Sequence, residues 1–238
     1  MSIVEGEDPE LGRIRERYAR RAERHPSAAP DDRFTRCMVA EREAIYRSLL
    51  VRHASGDLGS LDLLEIGCGG GSEIARLVAM GLDPARIVGN ELIPGRLAAA
   101  RARLPAAVRL IGGDASTLEL PAASFDVVFQ STVFTSMLDG GMQERVAARM
   151  WHLLRPGGAI LWYDFTVDNP RNRDVRGVPV RRVRELFPAE PERVVRVTVA
   201  PPIGRVVARL GAWAYRCVGA LPFLRTHAIL WIPKPRAG

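Results

Sequence analysis

Lysine and cysteine are scarce in this chain of 238 residues, and it contains no long uncharged apolar segment. Lys234 is the single lysine among 34 basic residues, and the three cysteines, Cys37, Cys68 and Cys217, are widely spaced. An odd number of cysteines without a CxxC pair predicts neither a disulfide framework nor a zinc site. No other cluster of metal ligands is evident in the sequence, so we expect no metal.

The absence of about 18 consecutive apolar residues argues against a membrane-spanning helix. The first 25 residues are highly charged and lack the apolar core of a signal peptide. We therefore expect a cytoplasmic protein, either free or peripheral at a membrane surface. No internal repeat or low-complexity tract occurs.

The net charge of +7 raises the question of a nucleic-acid partner or an anionic membrane. However, the arginines are spread along the chain, and their abundance together with alanine is typical of a GC-rich, bacterial genome. The sequence therefore predicts a generally solvated basic surface and no nucleic-acid partner.

The first 60 residues predict a helical extension. Two apolar helical faces occur there, and Asp31 or Asp32 is expected to cap the second helix. The first face contains Leu11, Ile14, Tyr18 and Ala22, and the second contains Phe34, Met38, Ile45 and Leu49. Residues 61–238 are expected to form the main domain.

From residue 61 onwards, short apolar strands alternate with helices. Strands are predicted at residues 61–66, 87–90, 108–111, 125–130, 159–163, 194–200 and 227–232. Helices are predicted at residues 72–80, 94–104, 142–154 and 180–186. This alternation predicts a doubly wound, mainly parallel α/β sheet, with the last two strands able to pair antiparallel at one edge.

A glycine-rich turn follows the first strand, where ligands of such sheets bind. Gly67, Gly69 and Gly71 give the spacing GxGxG, whereas the dinucleotide fingerprint would require a glycine at Ser72. Glu65 precedes the turn, and its carboxylate would attract a cationic amino-acid group and repel a pyrophosphate. The turn therefore predicts a positively charged ligand.

Two further carboxylates end the next strands. Glu91 can accept from ribose hydroxyls. Asp114 can accept from an adenine amino group while Ala115 offers a backbone donor, although Asp114 can also serve as a turn cap. We expect Glu65, Glu91 and Asp114 to converge on one adenosyl ligand.

These segments together resemble the ordered motifs of class I S-adenosylmethionine-dependent methyltransferases, most closely the small-molecule branch called type 11. The segments that carry the resemblance are Glu65–Gly71, Val88–Leu92, Gly113–Ala115, Ser124–Val128 and Leu154–Gly158. The resemblance covers residues 61–165. One departure is Asn90-Glu91, where the family usually has Val-Asp; glutamate is longer but chemically equivalent.

The resemblance implies a seven-stranded Rossmann-like sheet of order 3-2-1-4-5-7-6, with S-adenosylmethionine as cofactor and S-adenosylhomocysteine as product. It also implies that Gln130 and Ser131 face the methionine part of the cofactor. The full set of predicted cofactor contacts is Glu65, Gly67, Cys68, Gly69, Glu91, Leu92, Asp114, Ala115, Gln130 and Ser131.

The acceptor is expected at the polar loop after the fifth strand. Asp164 is the leading candidate for a general base and Tyr163 the second, with the alternative that Asp164 only binds the loop backbone. Among the histidines, His227 is the pocket candidate. The polar loop favours O-methylation of a small molecule such as a sugar, glycoside or natural product.

Other interpretations stay open. Residues 203–221 predict a helix on which Arg205, Arg209 and Arg216 lie within about 40°. Such a helix can be a lid or core element, a dimer contact, or a membrane-surface element that serves a lipid-linked acceptor. A different class is an NAD-dependent oxidoreductase, disfavoured by Glu65 and Ser72, and a third possibility is a binding module without catalysis.

Overall fold

Two N-terminal helices precede the sheet in the computed structural model, which describes residues 8–24, 32–169 and 172–236. They are α1 (Pro9–Arg24) and α2 (Arg33–His53). Asp32 caps α2 because its side chain accepts from the backbone N–H of Thr35 at 2.7 Å. Asp31, the other candidate cap, lies outside the described residues, as do Pro170 and Arg171 of the predicted acceptor loop.

Seven strands form one sheet of order β3-β2-β1-β4-β5-β7-β6, which confirms the predicted order. Strands β1 to β5 run parallel, and β7 pairs antiparallel with both β5 and β6. The strands are β1 (Leu63–Ile66), β2 (Ile87–Glu91), β3 (Arg109–Gly112), β4 (Phe125–Ser131), β5 (Leu154–Phe165), β6 (Arg193–Val199) and β7 (Arg225–Pro233).

Six helices connect the strands and complete the two outer layers. They are α3 (Ser72–Met80), α4 (Pro94–Arg103), α5 (Gly140–Leu153), α6 (Val180–Leu186), α7 (Pro201–Ala208) and α8 (Ala212–Gly219). The parallel order places the carboxyl ends of β1 to β5 along one edge of the sheet, where the predicted site residues were expected.

The two N-terminal helices cover opposite faces of the sheet. Leu11 and Ile14 of α1 join the apolar cluster that contains Ile66 and Val128. Tyr46 of α2 joins the cluster of the other face, which contains Phe129. Because side chains alternate along a strand, Val128 and Phe129 mark the two sides.

Residues 203–221 do not form the single helix predicted from their apolar pattern. Gly211 separates α7 from α8. Its φ of +115° is a conformation that suits glycine and interrupts the helix. The prediction that Arg205, Arg209 and Arg216 lie on one side of a single helix is therefore wrong. None of the helices within the described ranges combines the length and the apolar character needed to cross a bilayer.

Candidate functional site

The turn between β1 and α3 exposes bare backbone at the beginning of that helix. Gly67, Gly69 and Gly71 have φ values of +65°, +57° and +76°. A Cβ atom on Gly67 would lie 2.5 Å from Cγ2 of Val133, and one on Gly71 would lie 2.7 Å from Cδ1 of Leu104. Both the backbone conformation and the close neighbours therefore require glycine here.

Glu91 fixes this turn to the end of β2. Its Oε2 accepts from the backbone N–H of Gly69 at 2.7 Å, and its Oε1 accepts from the backbone N–H of Ile93 at 2.8 Å. The carboxylate therefore bridges the glycine turn and the beginning of α4, at the position where a ribose was predicted.

A cavity of about 70 Å³ lies between the strand ends and α1. It is lined by six of the predicted cofactor contacts, namely Gly67, Glu91, Leu92, Asp114, Ala115 and Ser131. Asp114 also caps the following turn, since it accepts from the backbone N–H and the hydroxyl of Ser116. Asp114 thus combines the two alternatives that the sequence left open, a turn cap and a position at the cavity.

Glu65, another predicted contact, is fully buried near the end of β1 and is not among the residues that line this cavity. Among the described residues no group donates a hydrogen bond to its Oε2. Burial raises the pKa of this carboxyl well above its usual range, and the nearby Glu73 and Glu91 raise it further. A buried acceptor without a donor fits a cationic group, such as the ammonium of the predicted cofactor.

Cys68 and Gln130, two other predicted contacts, support the glycine turn and the segment after β4. Cys68 packs its thiol in the core, and burial raises the pKa of that thiol to about 12. Gln130 donates from Nε2 to the carbonyl of Tyr163 at 3.2 Å and accepts from the backbone N–H of Val133 at 3.1 Å. Gln130 therefore holds the segment after β4 in place.

Helix α1 closes the cavity from the outside. Its buried Glu10 and Arg17 form an ion pair of 2.6 Å, and each binds the segment after β4: Glu10 accepts from the N–H of Leu138, and Arg17 donates to the carbonyl of Ser136. Leu11, Ile14 and Tyr18 then face the cavity.

Arg96 lines the same cavity and was missed by the sequence analysis. Its guanidinium lies 4.8 Å from the ring centroid of Tyr18, and a Cβ atom on Gly69 would lie 2.4 Å from its Nη2. No motif distinguishes Arg96 among the many arginines of the chain. Arg96 is recognised only in the structure, where the first turn of α4 lies beside the glycine turn.

A wider cleft of about 760 Å³ adjoins this cavity and shares Tyr18, Ile93, Arg96, Thr132 and Ser136 with it. Its remaining lining comes from α1, the beginning of α4, the segment after β4, the end of β5 with the loop that follows it, and the beginning of β7. Those residues include Arg15, Arg21, Thr135, Phe165, Val175 and His227.

Asp164 and Tyr163, the predicted catalytic residues, line neither space. Asp164 is fully buried, and its carboxylate accepts from the backbone N–H groups of Thr135 at 3.2 Å and Phe165 at 3.0 Å. Burial raises the pKa of this carboxyl to about 7. Tyr163 points to the α2 side of the sheet, where its hydroxyl lies 3.2 Å from that of Thr198.

His227 does line the cleft. Its ring stacks on Tyr163 with centroids 5.2 Å apart, and its Nδ1 lies 2.9 Å from the hydroxyl of Thr226. Burial and the positive charge of Arg42 lower the pKa of this imidazole to about 4. The ring is therefore neutral at pH 7, with Nε2 as the nitrogen left for another partner.

Another cavity of about 760 Å³ lies between α2 and the α7–α8 segment. It is lined by alanines, Ile45 and Tyr215 with arginines around them, and it shares no residue with the two spaces at the strand ends. Since no glycine turn or strand-end carboxylate reaches it, this cavity is not the cofactor site.

Part of the chain matches a known protein family. Residues 64–162 match the family described as "Methyltransferase domain". A search of curated proteins found no match.

Several solved structures share the fold. An S-adenosylmethionine-dependent methyltransferase from Archaeoglobus fulgidus is 12% identical, with a TM-score of 0.60 over 91% of this chain and 99% of that chain. One from Mesorhizobium loti is 17% identical, with a TM-score of 0.54 over 75% and 93%. The [4+2]-cyclase SpnF is 21% identical, with a TM-score of 0.58 over 81% and 82%.

Proposed function

We propose that this chain is a class I S-adenosylmethionine-dependent methyltransferase and that it methylates a hydroxyl group of a small molecule such as a sugar, a glycoside or another natural product. One of the structures that share the fold is named a cyclase, so the fold alone does not define a reaction. The matched domain and the strand-end carboxylates support methyl transfer. The observation that supports the proposed acceptor is the cleft that adjoins the cavity, because the hydroxyl-bearing side chains Thr132, Thr135 and Ser136 are part of its lining.

When bound, S-adenosylmethionine would supply an electrophilic methyl group to the acceptor oxygen and would leave as S-adenosylhomocysteine. Glu65 would hold the ammonium and Glu91 the ribose hydroxyls. The cavity of about 70 Å³ is small beside the roughly 300–1,000 Å³ typical of ligand pockets. We therefore expect α1 and Arg96 to move outwards when the cofactor binds.

The chain's main contribution is alignment of the acceptor with the methyl group, which contributes up to roughly 7–11 kcal/mol in ideal cases. A hydroxyl acceptor also gains from a base that takes its proton. We propose His227 for this step, because its imidazole lines the cleft together with the hydroxyl-bearing residues Thr132, Thr135 and Ser136. We place Asp164 as a positioning residue that holds Thr135 at the cleft, and Tyr163 as the ring that supports His227.

The test is an assay with methyl-labelled S-adenosylmethionine against monosaccharides, glycosides and phenols, with products identified by mass spectrometry. His227→Ala should lower the rate by about 10²–10⁴-fold, the usual contribution of a general base, and leave the Kd for S-adenosylhomocysteine unchanged. His152→Ala, at an exposed histidine of α5, is the matched control. Label found only on amines, or an unchanged rate with His227→Ala, would contradict the proposal.

A second candidate acceptor is linked to a lipid, and the surface of residues 203–223 favours it. Six large apolar side chains are exposed there: Ile203, Val206, Leu210, Trp213, Leu221 and Phe223. Trp213 is 68% exposed and Phe223 is 78% exposed. Arg205, Arg209 and Arg216 are exposed in the same segment, which suits an anionic membrane.

This surface lies at the same edge of the sheet as the cleft. The segment leaves β6 at Val199 and enters β7 at Arg225, and His227 of β7 pairs with Phe165 at the end of β5. A bilayer bound there would be near the acceptor cleft.

Sedimentation with vesicles tests this candidate. The wild-type chain should sediment with vesicles that contain phosphatidylglycerol, and Trp213→Ser with Phe223→Ser should abolish this. Val194→Ser, at an exposed apolar side chain of β6, should not change it. If the double variant instead converts a dimer to a monomer and vesicle binding is absent, the surface is a contact between copies.

A further inference from the structure

We propose that Arg42 of α2 is a positioning residue that holds the imidazole of His227 in place through the ring of Tyr163. This inference rests on the proposed function, because it takes His227 as the group that accepts the proton of the acceptor. It gives the N-terminal extension a part in the reaction in addition to its packing on the sheet.

The imidazole of His227 stacks on a ring of the neighbouring strand. Tyr163 of β5 pairs with Ile229 of β7, two residues beyond His227. The two rings are therefore diagonal neighbours on one face of the sheet. They stack with an interplanar angle of 15° and with centroids 5.2 Å apart. The orientation of the imidazole thus depends on where the ring of Tyr163 is held.

Arg42 contacts this ring from the α2 side of the sheet. Its side chain is buried, and its guanidinium carbon lies 4.5 Å from the ring centroid of Tyr163. The Nη2 atom of Arg42 also donates to Oε1 of Glu73 at 2.9 Å, in the first turn of α3. Because this bond holds the guanidinium, the cation–π contact gives the Tyr163 ring a defined position.

The same arginine brings a positive charge near the imidazole. Burial lowers the pKa of His227, and the charge of Arg42 lowers it further, to about 4. Other ionisable groups lie around this region on several elements: Arg15, Tyr18 and Arg21 of α1, Glu41 and Tyr46 of α2, Glu73 of α3, Arg96 of α4, Tyr163 of β5 and Arg225 of β7. Since burial persists in an Arg42 variant, loss of the Arg42 charge should raise the pKa of His227 only part of the way to its ordinary value.

The experiment is an NMR titration of the four histidines in the wild-type chain and in Arg42→Met. The resonances of His227 are those that are missing from His227→Ala. Methionine can still pack on the Tyr163 ring but carries no charge. At about pH 5, the protonated fraction of His227 should be larger in Arg42→Met than in the wild type. Its ring protons should also lose part of the upfield shift that the stacked Tyr163 ring causes.

Arg76→Met is the matched control. Arg76 of α3 pairs with the same carboxylate of Glu73 at 3.1 Å, but among the described residues it makes no cation–π contact. If Arg42→Met does not fold, Arg42→Met with Glu73→Gln takes its place with the same expectation, because it leaves no carboxylate without its buried partner. Unchanged His227 resonances in the Arg42 variant, or the same change in Arg76→Met, would overturn the inference.

The rate of methyl transfer separates this inference from the proposed function. At about pH 8, above the ordinary pKa of histidine, Arg42→Met should lower kcat by up to about 10²-fold, since a small displacement of a reacting group can cost that much. A full rate in Arg42→Met together with a lost rate in His227→Ala would overturn the inference. A full rate in His227→Ala would contradict the proposed base instead, whatever the NMR titration of Arg42→Met shows.

Discussion

The carboxylate of Glu91 and the backbone N–H of Gly69 are joined by a hydrogen bond of 2.7 Å across 22 residues of sequence. Gly69 has a φ of +57°, so its N–H direction depends on a conformation that other residues rarely adopt. The bond connects two of the five segments that carry the family resemblance. It also means that Glu91 has two tasks, since it fixes the turn and is the proposed ribose acceptor.

Replacing Glu91 with alanine should therefore weaken S-adenosylhomocysteine binding strongly. The variant loses the ribose hydrogen bonds and the bond that shapes the turn; bonds to charged groups contribute about 1.5–3 kcal/mol each, which is a factor of about 10–100 in Kd. Calorimetric titration measures this. Glu119→Ala, at an exposed glutamate, is the control and should bind as the wild type does. A Kd for Glu91→Ala within about twofold of the wild type would show that the ribose is held elsewhere.

Glu65→Gln should have opposite effects on thermal stability and on the affinity for S-adenosylhomocysteine. Burial raises the pKa of the Glu65 carboxyl well above its usual range, so ionising it in the folded state costs free energy. Glutamine keeps the shape without the charge. At pH 8 we expect a higher Tm than the wild type together with a weaker affinity for S-adenosylhomocysteine, because the ammonium loses its partner. A variant that gains stability and keeps its affinity would mean that Glu65 does not touch the cofactor.

The strand order was predicted through the family resemblance, whereas the meeting of Glu91 and Asp114 at one cavity was predictable from local patterns. The glycine turn, Glu91 and Asp114 each follow an apolar strand in sequence, and parallel strands bring such ends together. The cap at Asp32 was predictable for the same reason, since its bond to Thr35 spans only three residues.

Other features depend on contacts that sequence spacing does not encode. His227 reaches the cleft because β7 runs antiparallel to β5 and pairs it with Phe165. The face of the sheet on which Tyr163 lies follows from the register of β5. The break at Gly211 was missed because the apolar pattern continues on both sides of it, so the pattern alone favoured one helix.

Asp164 should make stability depend on pH. Burial raises the pKa of its carboxyl from 3.8 to about 7, so between about pH 4 and pH 7 the folded chain binds a proton that the unfolded chain releases. Stability therefore falls as the pH rises through this window and then levels off. The asparagine of the Asp164→Asn variant cannot titrate. The Tm of this variant should therefore fall less than that of the wild type from pH 5 to pH 8, even if its Tm differs from that of the wild type at every pH.

The comparison requires a control at an exposed aspartate. Asp83→Asn, at an exposed aspartate that caps a short turn through Ala85, should keep the pH dependence of the wild type. If Asp164→Asn and Asp83→Asn give parallel curves of Tm against pH, the Asp164 carboxyl is ionised at an ordinary pH and its backbone hydrogen bonds outweigh its burial.

Two helical glycines should respond in opposite directions when replaced by alanine. A Cβ atom on Gly204 of α7 would lie 2.3 Å from Cε2 of the buried Phe34 ring and 3.2 Å from the carbonyl oxygen of Val199. Gly12 of α1 has nothing within 4 Å of that position. Gly204→Ala should therefore destabilise the fold by about 1–3 kcal/mol through overpacking, and Gly12→Ala should stabilise it by about 0.5–1 kcal/mol through helix propensity. Thermal or urea unfolding measures both.

The cause of the Gly204 effect can be isolated with a second substitution. In a Phe34→Ala background the ring is gone, so Gly204→Ala should add little further destabilisation, and the two changes should be strongly non-additive. Additive effects would mean that α7 does not pack on α2 at this point. The α7–α8 segment would then not be held by α2 there, and its exposed apolar side chains would have no fixed position relative to the acceptor cleft.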